Sequence, residues 1–540
     1  MEFEEQVRFD PSIRTITLKN SYDILIVGAG IYGATLSYIA AQKGYQVLLV
    51  EKNDYASGTS SNSLKILHGG IRYLQSFDLV RVIESAKERA RLTSIAPHLV
   101  RPITCILPLK ASLAKNKLFI YIALNIFDFI RKIINQKFSV YKHDKSRILS
   151  AKVLSKIYAN ISLIKSSFAL CWQDSQVIST ERMVYKFCTL SKKSGSDTYN
   201  YLKFKSSKKG GGIHAVRLLD ELTGQTYDTS ASVIIDATSS WQFNKSCQKN
   251  NISYVSAVNL VINKKFSNDT LGIPFVKERV NRTLFLSPWN ESTLIGTWYF
   301  NELTEVNDKI VRKCLDDVHA YIPELTLTKE DISFIHHGKL PANKVKVENP
   351  YLDIQNQYKI LDGESKGMFV VQGVKFTTAM DVAEKTLSKV GEFFTKTLGV
   401  NVTSRQRAGR AQSSPDIPEK IHEHIYSDIS AEVVKRLNTL YGDEALNIIN
   451  LARTNMVLQE YVPSSKVVLK AEIMYLLEKE EVFCLSDLLL RRTDIGTQGK
   501  PSQEMIKYCA NTMRDYFKWD SDVLNYNLKE LDNYYPSWVK

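Results

Sequence analysis

DILIVGAGIYGATLSYIAAQKGYQVLLVE, residues 23–51, decides the fold. An apolar strand, Ile24 to Val27, runs into Gly28-x-Gly30-x-x-Gly33. A helical stretch follows, and a second apolar strand, Val47 to Val50, ends on Glu51. Gly28 permits a tight turn, Gly30 lets the backbone approach a pyrophosphate, and Gly33 lets helix and strand pack closely. The helix N-terminus offers N–H groups and the positive end of its dipole to phosphates. Glu51 is placed to accept hydrogen bonds from both ribose hydroxyls of an unphosphorylated adenosine. A glycine-rich turn without a ligand is the competing account. The strand before the glycines, the helix after them and the acid at the end of the next strand argue against it.

Outward from this unit, 540 residues are too many for one core, so two or three domains are expected. Apolar and charged fractions are those of a folded globular protein. The net charge of +14 favours an acidic partner, such as an anionic substrate or membrane surface, or is simply a basic surface. The lysine-rich KFKSSKKGGG (203–212) reads as a solvated hairpin turn, and no stacking platform accompanies it, so nucleic acid is not expected as a partner. Seven scattered cysteines without a CxxC pair argue for a reducing compartment and against a structural metal, and none is expected. The N-terminal MEFEEQVRFD lacks the apolar core of a signal peptide. No window reaches the ~18 apolar residues of a membrane span. The nearest approach, LFIYIALNIFDFIRKII (118–134), is a basic, aromatic, amphipathic helix. It would either lie on a membrane surface or pack as a core or cap helix.

Residues 1–20 read as an extra arm and 78–96 as a charged helix ended by Pro97. Alternation around 200–235 and 252–300 predicts sheet. MFVVQGVKFTTAMDVAEKTLSKV (368–390) reads as strand, glycine turn and helix, and 402–418 as a linker. Residues 419–540 are mostly helical in pattern.

EKNDYASGTSSNSLKILHGGIRYLQ (51–75), following the glycine fingerprint, resembles the FAD-dependent glycerol-3-phosphate dehydrogenase family. So do APHLVRPITCILPL (96–109), SPW (287–289), IGT (295–297), GVKFTT (373–378) and LKAEIMYLLEKEEVFCLSDLLLRRTDIG (469–496). The resemblance implies an α/β fold. A Rossmann-like FAD-binding domain of the glutathione-reductase/D-amino-acid-oxidase type would span 20–80, 165–245 and 355–400. An antiparallel-sheet substrate (cap) domain would span 81–164 and 246–354, and an α-helical C-terminal domain 416–540. It also implies FAD as cofactor, held by Gly28, Gly30, Gly33, Glu51, Lys52, Thr59, Ser60, Ser63, Lys65, His68, Gly69, Gly373, Lys375 and Thr377. Arg72 matches a substrate-site arginine able to pair bidentately with an anion, unless it merely begins a helix after the Gly–Gly turn. Lys375 matches a lysine beside flavin and substrate, where a cation stabilises negative charge. His68 is a flavin neighbour in the family. Arg182 falls in an adenine-side block, CWQDSQVISTER, and reads as structural. A small-molecule substrate, anionic in the family, and quinone or oxygen as electron acceptor follow by resemblance. Cytoplasmic location, a peripheral contact on the inner membrane face and a homodimer are further expectations.

Departures concentrate on substrate residues. The family's Gly-x-Arg-Pro turn reads Gly338-Lys339-Leu340-Pro341, with leucine at the arginine position and Lys339 as a differently aimed substitute. A second family arginine falls near QNQYK (355–359), on Asn356 with Lys359 nearby. The histidine placed over substrate becomes Asn259, an arginine becomes Met380, an acid becomes Tyr299 after Trp298, and the glycine of an ATG turn becomes Ser239. Asn259 takes no proton. His336 and His337 are then candidate bases, with His337 as the catalytic choice, or they are a solvent-facing pair at a strand end. Three functions compete: glycerol 3-phosphate oxidation, oxidation of another alcohol, hydroxy acid or amine, and a non-catalytic flavoprotein. Trp298 and Tyr299 would suit a bulkier or less charged ligand.

Overall fold

The computed structural model describes residues 8–109, 117–157, 168–241, 253–277, 280–301, 306–342, 354–355, 357–398 and 429–539. The asparagine at 356 and the linker read at 402–418 lie outside them. The chain forms two compact units, one of residues 1–61, 179–252 and 355–535, the other of 62–178, 253–354 and 536–540.

The first unit is built on a sheet whose centre is parallel. Its strands follow the order Lys359–Asp362, Met368–Gln372, Thr226–Asp236, Tyr22–Val27, Val47–Val50 and Asp197–Tyr199. The central strands carry apolar runs, Ile24–Val27, Val47–Val50, Val233–Ile235 and Met368–Val371, because both faces of the sheet are covered, one of them by Leu202, Phe204, Val216 and Leu218 of the meander, which pack on Leu25, Val27, Leu48 and Val50. Ile24, Leu25, Ile26, Val47, Leu48, Leu49 and Val233 are fully buried. The register sets Ile24 beside Val47 and Val27 beside Asp236, so the glycine loop, Glu51 and Asp236 emerge at one carboxyl edge. Ligands of doubly wound sheets bind at that edge. The 200–235 meander is present, but the lysines of 203–209 lie on the strand Leu202–Gly210. The turn is confined to Gly211 and Gly212, both at positive φ. The N-terminal arm is tied down by buried Phe9 and by Arg14, which pairs with Asp220.

The C-terminal part is helical, as expected, and clusters with this first unit. Asp54, fully buried just beyond Glu51, accepts hydrogen bonds from Arg491 Nε and from Arg492 Nη1 and Nη2, each at 2.8 Å. Burial opposes its ionisation, but Arg492 and Arg491 hold its carboxyl below the usual range. Arg182 is structural: it is buried, pairs with Glu480 and lies 4.3 Å from the Tyr441 ring centroid.

The second unit carries a sheet in the order Ile332–Ala342, Ser253–Ile262, Ser292–Asn301, Val280–Trp289, Thr270–Lys277, Val100–Leu109, Phe168–Val177 and Ile66–Leu67. Pairing is antiparallel except between Thr270–Lys277 and Val100–Leu109. Because Ile66–Leu67 and Phe168–Val177 are strands of this sheet, the first boundary falls after Ser61 and not at 80, and the second after Ile178 and not at 165. One face of the sheet packs on the helix Asp308–Tyr321 through Val258, Leu260, Trp298, Val311, Leu315 and Val318.

Candidate active site

In the first unit, Gly28 adopts φ +99°, the left-handed region that glycine occupies freely. A side chain at Gly33 would place its Cβ 1.8 Å from the Gly28 carbonyl oxygen, so only glycine lets the helix Ile31–Gln42 close on the turn. Ser60 Oγ accepts the Ile31 N–H of the helix start at 2.9 Å. The Glu51 carboxylate is oriented by Ala29 N–H at 2.8 Å and Asn53 N–H at 3.0 Å, and burial raises its pKa. Thr59 and Lys52 are half-buried beside these groups in sequence. Asp236 Oδ1 accepts from the N–H and hydroxyl of Thr238, and burial pushes its pKa up to about 6. Ser239, which replaces glycine in the ATG turn, sits at φ +53°.

Sequence reasoning missed Tyr32, the residue between the last two glycines of the fingerprint. Its buried hydroxyl donates to the Lys375 carbonyl at 2.6 Å and accepts from the N–H groups of Val374 and Lys375, each at 3.1 Å. A Cβ on Gly373 would lie 1.8 Å from the Tyr32 ring, so Gly373 is required for that contact. Tyr32 thereby fastens Gly373, Lys375 and the short helical turn Phe376–Thr378, which holds half-buried Thr377, to the glycine loop. Beside it in sequence, the buried Gln372 amide has both its oxygen and nitrogen without a hydrogen-bond partner among the described residues.

These features fit FAD: an oriented buried carboxylate, a helix N-terminus behind small residues, and an orphaned amide at the end of the strand Met368–Gln372. An unpaired buried polar group costs about 1–3 kcal/mol, and a polar ligand removes that cost.

In the second unit, Ser63 Oγ accepts the Lys65 N–H at 3.2 Å. Lys65 is buried, with Nζ 4.9 Å from the Trp289 ring centroid. His68 is half-exposed, with Nδ1 3.4 Å from Asp174 Oδ2, and the Gly69 N–H donates to Asp174 Oδ1 at 2.7 Å. Arg72 opens a short helical turn, Ile71–Ser76, and its side chain lies outside the described residues.

Asn259 is buried. Its Oδ1 accepts from Thr297 Oγ1 at 2.7 Å and its Nδ2 donates to the Asn62 carbonyl at 3.4 Å, so its amide is engaged within the unit. Opposite it on the neighbouring strand stands His336, 2 % exposed, with both ring nitrogens unpartnered among the described residues. Burial, reinforced by Lys65, holds its pKa far below the usual histidine value. The two histidines are therefore not a solvent-facing pair at a strand end. They lie inside the strand Ile332–Ala342, where one is enclosed and the other half-buried. His337 Nε2 is 3.1 Å from Ser256 Oγ, and burial and then Lys339 depress its pKa.

The segment Gly338–Pro341 is not a turn. It is strand, paired with Tyr254–Ala257. Alternation then decides orientation. His336, Leu340, Ala257, Asn259 and Tyr299 share one face, whereas His337, Lys339, Ser256, Val258 and Trp298 share the other. Trp298 is a core residue against the helix Asp308–Tyr321 and lines no ligand site, because its register partner Val258 packs there. Lys359 is exposed on an edge strand of the first unit. Met380 is buried in the first turn of the helix Ala379–Leu398.

A parallel sheet with a glycine-rich turn and an acid after the second strand defines a dinucleotide-binding oxidoreductase. The family model for FAD dependent oxidoreductases matches residues 23–385, and that for the C-terminal domain of alpha-glycerophosphate oxidase matches 380–523. The chain belongs to the FAD-dependent oxidoreductase family. It is 26 % identical to the aerobic glycerol-3-phosphate dehydrogenase of Staphylococcus aureus over 95 % of this chain and 93 % of that one. Identity is 25 % to the glycerol-3-phosphate dehydrogenase of Synechocystis, over 95 % and 96 %. In fold it is similar to the glycerol-3-phosphate dehydrogenase of Bacillus halodurans complexed with FAD, with TM-score 0.72 and 21 % identity over 95 % of this chain and 94 % of that one. It is more distantly similar to the L-alpha-glycerophosphate oxidase of Mycoplasma pneumoniae with FAD bound, with TM-score 0.51 and 14 % identity over 69 % and 95 %. The protein is thus an FAD-dependent oxidoreductase related to the glycerol-3-phosphate dehydrogenases and oxidases.

Proposed function

We propose that the chain oxidises a small secondary alcohol that departs from glycerol 3-phosphate at its phosphate end. The observation that carries this reading is the register of Ile332–Ala342, which sets Leu340 on the Asn259 face and turns Lys339 to the other. A phosphate on the Asn259 face would lack the arginine fork, and hydrogen bonds to charged groups are worth about 1.5–3 kcal/mol each. FAD would be held by Gly28, Gly30, Gly33, Glu51, Ser60 and Gly373, and it supplies the hydride acceptor. Lys375, fastened by Tyr32, would stabilise negative charge on the ring. His68, half-exposed beside Asp174, is the proton acceptor this reading favours, since His336 is enclosed and His337 faces the helix-packed side. Quinone or oxygen would then take the electrons. Oxidation of glycerol 3-phosphate itself is the second reading, favoured by the names of the relatives. Anaerobic bleaching of the bound flavin tests both. Glycerol 3-phosphate acting at micromolar concentration would overturn the first reading. Bleaching by uncharged alcohols with equal or greater efficiency would support it.

The helix Lys117–Lys137 buries one side and exposes an apolar other side. Leu124 and Phe127 are buried, while Leu118 (74 % exposed), Phe119, Tyr121, Ile122, Phe129 (65 %) and Ile133 face outward. Phe77 adds its ring 4.9 Å from that of Phe119, and Val80 and Ile83 extend the patch. No helix among the described residues is long and apolar enough to cross a membrane. An apolar patch with Lys117, Lys132 and Lys137 on the same helix supports peripheral attachment to an anionic bilayer, on the cytoplasmic side. Co-flotation with anionic vesicles, lost in Leu118→Ser/Phe129→Ser, would support attachment. Concentration-dependent dimerisation without flotation would assign the patch to a homodimer.

A further inference from the structure

Asp174 lies on the strand Phe168–Val177 with no exposed surface. Its Oδ1 accepts the Gly69 N–H at 2.7 Å, and its Oδ2 accepts the Trp172 indole N–H at 3.0 Å and stands 3.4 Å from His68 Nδ1. Arg89 Nη1, buried behind the turn, is 3.9 Å from Oδ1. Burial opposes ionisation, yet His68, Arg89 and Trp172 bring the carboxyl down to about 2. The turn is pressed against this group: a Cβ on Gly69 would lie 2.9 Å from Oδ1 and 2.8 Å from Arg89 Nη1. An ionised carboxylate only accepts hydrogen bonds. The imidazole nitrogen that faces it must therefore carry the hydrogen.

We propose that Asp174 is a positioning residue that holds His68 as the Nδ1–H tautomer, so that Nε2 meets the substrate hydroxyl as a proton acceptor. This rests on the reading of the chain as an alcohol oxidoreductase. The reaction balances: the carbinol C–H leaves as hydride with its electron pair to the flavin, the hydroxyl proton goes to Nε2, and a ketone remains. The imidazolium then returns its proton to solvent. Asp174 touches neither substrate nor flavin in this scheme and acts only through the ring it orients.

Asp174→Asn tests the assignment because its geometry forces a choice. With Oδ1 kept on the Gly69 N–H, the shorter of its two fixed-donor contacts at 2.7 Å against 3.0 Å for the Trp172 indole, the amide NH₂ falls on His68 Nδ1 at the cost of the Trp172 bond, and the ring must carry its hydrogen on Nε2, a donor where an acceptor is needed. Holoenzyme labelled with ¹⁵N-histidine, its His68 signals assigned through His68→Gln, reports the tautomer directly. The wild type is expected as Nδ1–H and Asp174→Asn as Nε2–H. With glycerol and sn-glycerol 3-phosphate as probes, kcat for anaerobic flavin reduction should fall about 100-fold or more in Asp174→Asn, with KM little changed. The double variant with His68→Gln should be no slower than His68→Gln alone. A wild-type His68 found as Nε2–H, an unaltered tautomer in Asp174→Asn, or losses that multiply in the double variant would each overturn the proposal. If Asp174→Asn does not fold, the wild-type spectrum still decides. His68→Gln reducing its flavin as fast as the wild type would also overturn the proposal. Failure of the alcohol-oxidoreductase reading has a different signature: neither glycerol nor sn-glycerol 3-phosphate reduces the wild-type flavin, while the tautomer result stands.

Discussion

Leu340→Arg should restore the phosphate grip that the chain lacks. Leu340 shares its face with Asn259 and packs beside Val255 and Ala342. An arginine there presents a fork to the side of the strand that carries Asn259. Two charge-assisted hydrogen bonds at about 1.5–3 kcal/mol each set the gross gain. Ordering the long side chain costs up to about 2 kcal/mol. A net gain of about 1.5–3 kcal/mol lowers KM for glycerol 3-phosphate ~10- to 100-fold and leaves glycerol unchanged. The control is Lys339→Arg, one residue away on the opposite face, which should change neither. The assay is stopped-flow flavin reduction under nitrogen across a concentration series of both compounds. An equal gain from Lys339→Arg would refute the register argument. A wild-type enzyme that already prefers glycerol 3-phosphate over glycerol by a thousandfold would refute the inference about the missing arginine.

Tyr32→Phe removes the hydroxyl that satisfies two N–H groups and a carbonyl around Lys375. It should cost about 2–4 kcal/mol of stability and weaken flavin retention, measured by urea unfolding and by the FAD released on gel filtration. Asp54→Ala leaves the Arg491 and Arg492 guanidinium groups buried without their shared acceptor and should cost about 3–5 kcal/mol, seen as a large drop in Tm. Asp236 holds its proton to about pH 6 when folded against 3.8 when unfolded, so the native state binds more protons in that window. Stability contributed by this group falls as pH rises from about 4 to 6 and is level above, a total of at most ~3 kcal/mol. Asp236→Asn, which keeps an acceptor for Thr238, should gain on the wild type across that window, and a pH-independent difference would contradict the assignment.

Local pattern was enough for the cofactor half. Gly28, Gly30, Gly33 and Glu51 are close in sequence, their spacing is dictated by one turn and one helix, and the turn at Gly28 and the close packing at Gly33 form as read. The same holds for the sheet-to-helix passage at Gly373 to Thr378. Arg182, read as structural although its block resembles an adenine-side one, is buried and paired with Glu480. What local pattern lacked was any statement about partners far along the chain. Tyr32 meets Lys375 across more than 340 residues, and Asp174 meets Gly69 across 105. Neither carries a signal in a window of ten residues.

The substrate side shows the limit most clearly. The sequence by itself determined that leucine replaces arginine and that lysine precedes it. Whether that lysine stands in for the arginine depends on which side of a sheet it faces. Side chains alternate with a period of two, so only the pairing of Ile332–Ala342 with Ser253–Ile262 answers it, and it places Lys339 opposite Ser256, away from Asn259. The domain boundaries after Ser61 and Ile178 were decided likewise, by hydrogen bonding of Ile66–Leu67 and Phe168–Val177 into a sheet whose other strands lie far along the chain. Contacts within a turn or a helix are written in adjacent residues, whereas strand register and buried charge pairs exist only once distant segments have met.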